Sequence, residues 1–214
     1  MSDLTTAFNT AFASLPLVAI LRGLRPQEAV AIGTALYDAG FRLIEVPMNS
    51  PEPLESIALL AQSLPRDCLV GAGTVLSTDV VAQVQGAGGQ LIVMPHADTE
   101  VIRAAKAAGM ICCPGVATPT EAFAAAKAGA DALKLFPAEL ITPTIVRAMR
   151  AVLPAALPLL PVGGITPENM DEYRAAGVAG FGLGSALFRP GMDAATVGAN
   201  ARRFAAAWHQ GSAD

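Results

Sequence analysis

The feature that most constrains the fold of this chain is a repeat of short β-rich apolar runs, each followed by a longer alanine-rich stretch with helical spacing. The runs recur roughly every 20 to 25 residues, which is the pattern of βαβ units. Eight such units predict eight parallel strands, and eight parallel strands favour closure into an α/β fold of the (β/α)8 TIM-barrel type. The predicted strands are 17–21, 43–46, 69–72, 91–94, 110–113, 132–136, 159–162 and 179–183.

Capping residues mark where the helices between these runs begin and end. The predicted starts are N-cap or first-turn residues, namely Pro26, Pro51, Ser77, Asp98, Thr118 with Glu121, Thr142 and Thr166. The predicted ends are glycines suited to a left-handed C-terminal cap, namely Gly40, Gly88, Gly109, Gly129 and Gly177. Residues 3–14 predict a helix that covers the bottom of the barrel, and residues 194–209 predict the last outer helix. We therefore predict one domain over residues 1–214.

A doubly wound open sheet is the alternative architecture. That fold normally has five or six strands and a glycine-rich turn after the first one. Here the first apolar run is followed by Arg22-Gly23-Leu24-Arg25, which is a different turn. The barrel is therefore favoured, and a barrel predicts that the chemistry lies at the C-terminal ends of the strands.

Composition excludes several classes of function. The chain is 53% hydrophobic and 15% charged, and its net charge of −4 comes without a basic run, so we expect no nucleic-acid partner. The apolar stretch 15–21 is too short to span a membrane, and we expect no membrane association. The three cysteines lack the paired spacing of a zinc site, which favours reduced thiols in the cytoplasm. His96 and His209 are too few and too far apart for a metal triad, so we expect no metal.

One of the three lysines stands in an unusual place. Lys106 and Lys127 lie in the last turns of predicted helices, where they complement the helix dipole. Lys134 instead lies within the apolar run 132–136, where every side chain should be buried. Burial lowers the pKa of a lysine and so provides the free amine that attacks a ketone to form an imine. The alternative is a lysine with a buried stem and a paired charge.

Glu45 is a second charged residue in an apolar strand. It lies in the run 43–46, directly before Pro47, and shares a face of the strand with Leu43. A carboxylate near a neutral lysine in a dry site can accept and return protons. The alternative is a carboxylate that only pairs with Arg22 across the mouth of the barrel.

Glycines at three strand ends predict contacts with a ligand. Gly163 and Gly164 follow the seventh strand, and Gly184 and Ser185 follow the eighth, where barrels commonly bind phosphate through backbone amides. Arg22 adds positive charge for an anionic ligand. After the third strand, glycines within 71–73 let a ligand approach the backbone, and Thr74 follows them with a hydroxyl and an amide.

Six motifs, in order along nearly the whole chain, resemble those of the 2-keto-3-deoxy-6-phosphogluconate and 2-dehydro-3-deoxy-6-phosphogalactonate aldolases. The motifs are AILRG (19–23), EVPMNSP (45–51), GAGTVL (71–76), CPG (113–115), KLFP (134–137) and VGGI (162–165). The resemblance implies a class I aldolase, a carbon–carbon lyase without metal or organic cofactor, that forms homotrimers. It implies that Lys134 forms the imine and that Glu45 is the general acid/base. It also implies that Thr74 holds the carboxylate end, that Pro95 and Phe136 flank the pyruvyl group, and that Gly163, Gly164 and Ser185 hold phosphate.

Two positions resemble the galactonate branch of that family. The gluconate branch usually has an arginine where this chain has Asn49, and a threonine where it has Val162. The resemblance thus implies cleavage of the galactonate substrate to pyruvate and D-glyceraldehyde 3-phosphate, with the gluconate substrate as the alternative. It leaves open which residue binds the carboxylate in place of the missing arginine. A phosphosugar isomerase or epimerase, or a non-catalytic phosphometabolite-binding barrel, would share the glycines but not require Lys134.

Overall fold

Short strands alternate with helices throughout residues 3–211, the part of the chain that a computed structural model describes. The strands are β1 (Leu17–Ile20), β2 (Leu43–Pro47), β3 (Leu69–Gly73), β4 (Leu91–Val93), β5 (Ile111–Cys113), β6 (Gly115–Val116), β7 (Leu133–Leu135), β8 (Leu159–Pro161) and β9 (Phe181–Leu183). The helices are α1 (Asp3–Ser14), α2 (Pro26–Asp38), α3 (Pro53–Ser63), α4 (Thr78–Gly86), α5 (Thr99–Ala107), α6 (Pro119–Ala128), α7 (Pro143–Arg150), α8 (Met170–Ala175) and α9 (Ala194–Gln210).

The strands close into a barrel. Parallel pairing joins β5-β4-β3-β2-β1-β9 into one sheet and β6-β7-β8 into another. β5 and β6 occupy one position in the barrel and are separated by Pro114, which has no N–H for a strand ladder but accepts a bond from the Lys134 amide at 2.9 Å. On the other side, a parallel bridge between Val162 and Gly182 connects β8 to β9. The predicted (β/α)8 barrel is therefore confirmed.

Side chains alternate between two apolar layers, and this alternation places the charged residues. Leu43 belongs to the cluster inside the barrel, whereas its neighbour Ile44 belongs to the layer between strands and helices. Glu45 therefore points inward, as Leu43 does. In β7, Leu133 and Leu135 pack against the helices, so Lys134 also points inward. Phe8 and Ala11 of α1 join the inner cluster, as expected of a helix that covers the bottom of the barrel.

The predicted helix ends are largely confirmed. Asp98 accepts hydrogen bonds from the amides of Glu100 and Val101, and Thr118 forms a capping box with Glu121. The five predicted cap glycines all have positive φ. No helix within residues 3–211 is long and apolar enough to cross a membrane.

Two predicted helix starts are wrong. The helix expected from Pro51 begins at Pro53, because Glu52 adopts a left-handed conformation with φ of 42° and precedes the helix as its N-cap residue. The helix expected from Thr166 begins at Met170. There the Asn169 side chain accepts a bond from the Thr166 amide at 3.0 Å and donates to the Gly164 carbonyl at 2.9 Å. This turn occupies residues 166–169 in place of a helical turn.

The observed strands differ from the predicted ones only at their ends. Each predicted boundary lies within two residues of the observed one, and the largest difference is the start of β9 at 181 rather than 179. The observed strand β7 is one residue shorter at each end than the predicted strand 132–136. At its C-terminal end, Pro137 follows Phe136 and has no N–H to donate to a ladder. The short segment β6 was not predicted.

Candidate active site

A cavity of about 460 Å³ opens at the C-terminal ends of the strands. This is where a barrel is expected to hold its site. Most of the predicted site residues share its wall, namely Arg22, Lys134, Phe136, Val162, Gly163, Gly164, Gly184 and Ser185. Glu45, Thr74 and Pro95 lie outside the lining.

Lys134 enters this cavity from β7 as a buried amine. Its side chain is only 5% exposed, and its Nζ lies 4.6 Å from the centre of the Phe136 ring. Burial lowers the pKa of Lys134, the negative charge of Glu45 raises it, and the positive charge of Arg22 lowers it again. Because burial is the largest effect, the environment favours the neutral amine that a nucleophile requires.

Glu45 projects inward from β2 and is 1% exposed. Its Oε2 has no hydrogen-bond partner among the described residues. Burial raises the pKa of Glu45 to about 7, although the charges of Lys134 and Arg22 pull it down. No ion pair within 4.0 Å joins its carboxylate to Arg22 in the described chain, so the alternative of a purely structural pair is not supported. Glu45 is therefore a buried carboxyl group with a raised pKa and no salt bridge to Arg22 among the described residues, which makes it a candidate for proton transfer.

The glycines of β3 serve the protein's own packing. A β-carbon on Gly73 would overlap the Glu45 carboxylate, and one on Gly71 would overlap the backbone carbonyl of Leu91 on the neighbouring strand. The prediction that these glycines admit a ligand to the backbone is therefore wrong at both positions. Gly73 instead provides the space into which the Glu45 carboxylate folds.

Arg22 is held beside this pair by two hydrogen bonds. One terminal nitrogen donates to Asn49 Oδ1 at 2.5 Å, and the other donates to Thr74 Oγ1 at 3.4 Å. Thr74 has a left-handed φ of 55°, directly after β3. The sequence singled out Asn49 only as the position where the gluconate branch has an arginine, and its contact with Arg22 appears only in the structure. The two side chains together direct a guanidinium towards the end of the cavity that contains Lys134.

The glycine loop after β8 lines another part of the cavity wall. Gly163 and Gly164 have φ values of 113° and 61°, which other residues rarely adopt. The carboxylate of Glu139 packs against this loop, where a β-carbon on Gly163 would overlap it. Arg189 also lines the cavity, and its Nε donates to the Ser185 carbonyl at 2.8 Å. Sequence reasoning missed both charged residues, although each follows a strand end that was itself recognised.

Other titratable groups take no visible part in the site. His96 is exposed on the loop after β4. Cys68, Cys112 and Cys113 are buried free thiols, and burial raises the pKa of each. Within residues 3–211, no group of three or more histidine, cysteine, aspartate or glutamate side chains could hold a metal ion.

The fold and the cavity define an enzyme of the (β/α)8-barrel class with its site at the strand ends. A profile of the KDPG and KHG aldolases matches residues 9–197, so the chain belongs to that family. It is 50% identical over 182 residues to the probable 2-dehydro-3-deoxy-6-phosphogalactonate aldolase of Rhizobium meliloti (strain 1021), covering 85% of this chain and 86% of that protein. The predicted family and the predicted enzyme class, a carbon–carbon lyase, are thus confirmed.

Solved structures show the same likeness. The structure of native KDPGal matches with a TM-score of 0.91 and 45% identity, covering 92% of this chain and 96% of that one. A KDPG aldolase of Legionella pneumophila, with pyruvate captured as a covalent carbinolamine intermediate, matches with a TM-score of 0.79 and 25% identity over 96% of both chains.

Proposed function

We propose that this protein cleaves 2-dehydro-3-deoxy-6-phosphogalactonate to pyruvate and D-glyceraldehyde 3-phosphate through a Schiff base on Lys134. The observation that carries the proposal is the buried amine of Lys134, which points into the same barrel as the buried carboxylate of Glu45. The names of the galactonate relatives support the substrate. The carbinolamine trapped in the Legionella relative supports the covalent route.

The reaction begins when neutral Lys134 attacks the carbon-2 ketone and water leaves to give an iminium. Glu45 then takes the proton of the carbon-4 hydroxyl, directly or through a water, and the bond between carbon 3 and carbon 4 breaks. The electron pair moves into the iminium to give an enamine, and D-glyceraldehyde 3-phosphate leaves. Protonation of the enamine and hydrolysis of the imine release pyruvate and restore the lysine.

The remaining residues position the two ends of the substrate. Arg22, held by Asn49 and Thr74, binds the carboxylate next to the ketone, because its guanidinium lies beside Thr74 and its charge acts on Lys134. Arg22 thus binds the carboxylate in place of the arginine that the gluconate branch usually has at the position of Asn49. Phe136 packs against Lys134 and bounds the pyruvyl group, with Pro95 on the loop after β4 as the other flank.

The phosphate binds at the opposite end, on the Gly163–Gly164 loop with Gly184 and Ser185. These residues line the cavity from the loops after β8 and β9, and their backbone amides are the groups that bind phosphate in barrels. A substrate stretched between Lys134 and this loop passes Val162, which is 8% exposed and lines the same cavity. Valine there has no hydrogen-bonding group for the carbon-4 hydroxyl, which is consistent with the galactonate epimer.

The assembly we propose is a homotrimer in the cytoplasm. Large apolar side chains stand exposed on the surface, namely Val30, Leu76, Phe123, Leu140, Ile145 and Val152. A second copy of the chain would cover such groups. The three free thiols favour a reducing compartment.

Borohydride reduction in the presence of pyruvate tests the Schiff base. We expect one stable pyruvyl adduct per chain, located on Lys134 by peptide mass spectrometry. Lys106 provides the internal comparison, because it is engaged 2.6 Å from Asp131 outside the cavity. Lys134→Met should abolish the adduct, whereas Lys106→Met should retain it. An adduct on Lys106, or none on the wild-type protein, would remove the basis of the mechanism.

A further inference from the structure

The glycine loop that is proposed to bind phosphate already has a negative charge against it. The carboxylate of Glu139 packs over Gly163 and close to Gly164, and Glu139 lines the same cavity. A phosphate group would bring further negative charge to this place. A cation nearby would offset that repulsion and strengthen the binding that the backbone amides provide.

Three cationic side chains line the cavity within the described chain, and two of them are engaged elsewhere. Lys134 is the buried amine of the proposed chemistry. Arg22 directs its terminal nitrogens to Asn49 and Thr74, on the loops after β2 and β3. Arg189 remains, on the loop after β9.

The geometry of Arg189 suits this purpose. Its Nε donates to the Ser185 carbonyl at 2.8 Å, which ties the guanidinium to the loop that presents the Ser185 hydroxyl and amide. Its two terminal nitrogens form no hydrogen bond with any residue of 3–211, and the side chain is exposed to the cavity. An arginine anchored through one nitrogen retains a pair of N–H donors whose planar arrangement matches phosphate oxygens.

We propose that Arg189 binds the phosphate of the substrate and sets the preference of the enzyme for phosphorylated over unphosphorylated aldehydes. The inference rests on the proposed function and adds to it a specificity-determining residue. Hydrogen bonds to charged groups contribute enough that losing them lowers affinity roughly 10- to 150-fold. The loss should appear in the KM of the phosphorylated substrate, because the phosphate lies far from the bond that breaks.

The test compares two aldehydes in the condensation direction, each with pyruvate: D-glyceraldehyde 3-phosphate and D-glyceraldehyde. For Arg189→Met we expect kcat/KM to fall roughly 10- to 150-fold with the phosphorylated aldehyde and to change less than about twofold with the unphosphorylated one. Arg189→Lys should restore part of the loss, since it retains the charge without the planar donors. Arg202→Met is the matched control, because Arg202 is an exposed arginine of α9 outside the cavity.

Pyruvate trapping by borohydride separates failure of this inference from failure of the proposed function. Pyruvate has no phosphate, so trapping on Lys134 should be equal in the wild type and in Arg189→Met. If trapping is normal but kcat/KM for the phosphorylated aldehyde is unchanged, the Arg189 inference is overturned alone. An equal loss with both aldehydes would also overturn it, since it would show a general structural effect. Absence of trapping in the wild type would contradict the proposed mechanism itself.

Discussion

Glu45→Gln should increase the stability of the protein at neutral pH while removing most of its activity. Glutamine has nearly the shape of glutamate and fits the same space beside Gly73, but it carries no charge. Burial raises the pKa of Glu45 from 4.5 to about 7, so the folded state holds this proton more tightly than the unfolded state does. The associated stability is fully present below pH 4.5 and is lost as the pH rises through 7. The shift corresponds to about 3 kcal/mol of unfolding free energy.

Urea denaturation between pH 4 and pH 8 measures this effect directly. The unfolding free energies of the wild type and Glu45→Gln should agree near pH 4 and diverge above pH 5, with the variant more stable by up to about 3 kcal/mol at pH 8. Turnover should fall by roughly 100- to 10,000-fold, as for the loss of a general acid/base. Glu55→Gln, on the exposed face of α3, is the matched control and should show neither change. Parallel pH curves for wild type and Glu45→Gln would refute the reasoning, because they would show that Glu45 is not a costly buried charge.

Three further predictions test the geometry and the chemistry of the site. Gly73→Ala should displace the Glu45 carboxylate and lower kcat by about 100-fold, whereas Gly86→Ala, whose β-carbon meets nothing within 4 Å, should leave kcat unchanged. Val162→Thr should shift the ratio of kcat/KM values towards the gluconate epimer by roughly 2- to 13-fold, and an unchanged ratio would show that this position does not sense carbon 4. Dialysis against a chelator should leave the rate unchanged, since residues 3–211 contain no metal-ligand cluster; recovery on adding a divalent cation would favour a metal-dependent epimerase.

Much of the fold and both proposed catalytic residues could be predicted because they follow from short-range patterns. The spacing of apolar runs gives strand positions, and strand alternation with period two gives the side on which a residue lies. Lys134 and Glu45 stood out because burying a charged group in an apolar strand costs free energy, which points to a function that offsets the cost. Position after a strand end likewise singled out Gly163 and Gly164, and the structure places both in a loop with positive φ values.

The rest depends on contacts between distant parts of the chain. Arg22 meets Asn49 and Thr74 across 27 and 52 residues of sequence, and neither partner has a local pattern that indicates the contact. The position of Glu139 over the glycine loop depends on how the loops after β7 and β8 approach each other. Gly73 was misinterpreted for the same reason, since sequence cannot distinguish space for a ligand from space for the protein's own carboxylate.

The electrostatics of the site suggest what Arg22 contributes beside Lys134, the proposed nucleophile. Burial moves the pKa values of Lys134 and Glu45 towards each other, and the mutual attraction of their charges opposes both shifts. The attraction between the two charges, taken by itself, favours an ammonium–carboxylate pair, in which the amine cannot attack. Arg22 lowers the pKa of both groups, so it favours the neutral amine and the ionised carboxylate together. That is the combination of protonation states from which imine formation and proton removal from the carbon-4 hydroxyl both start.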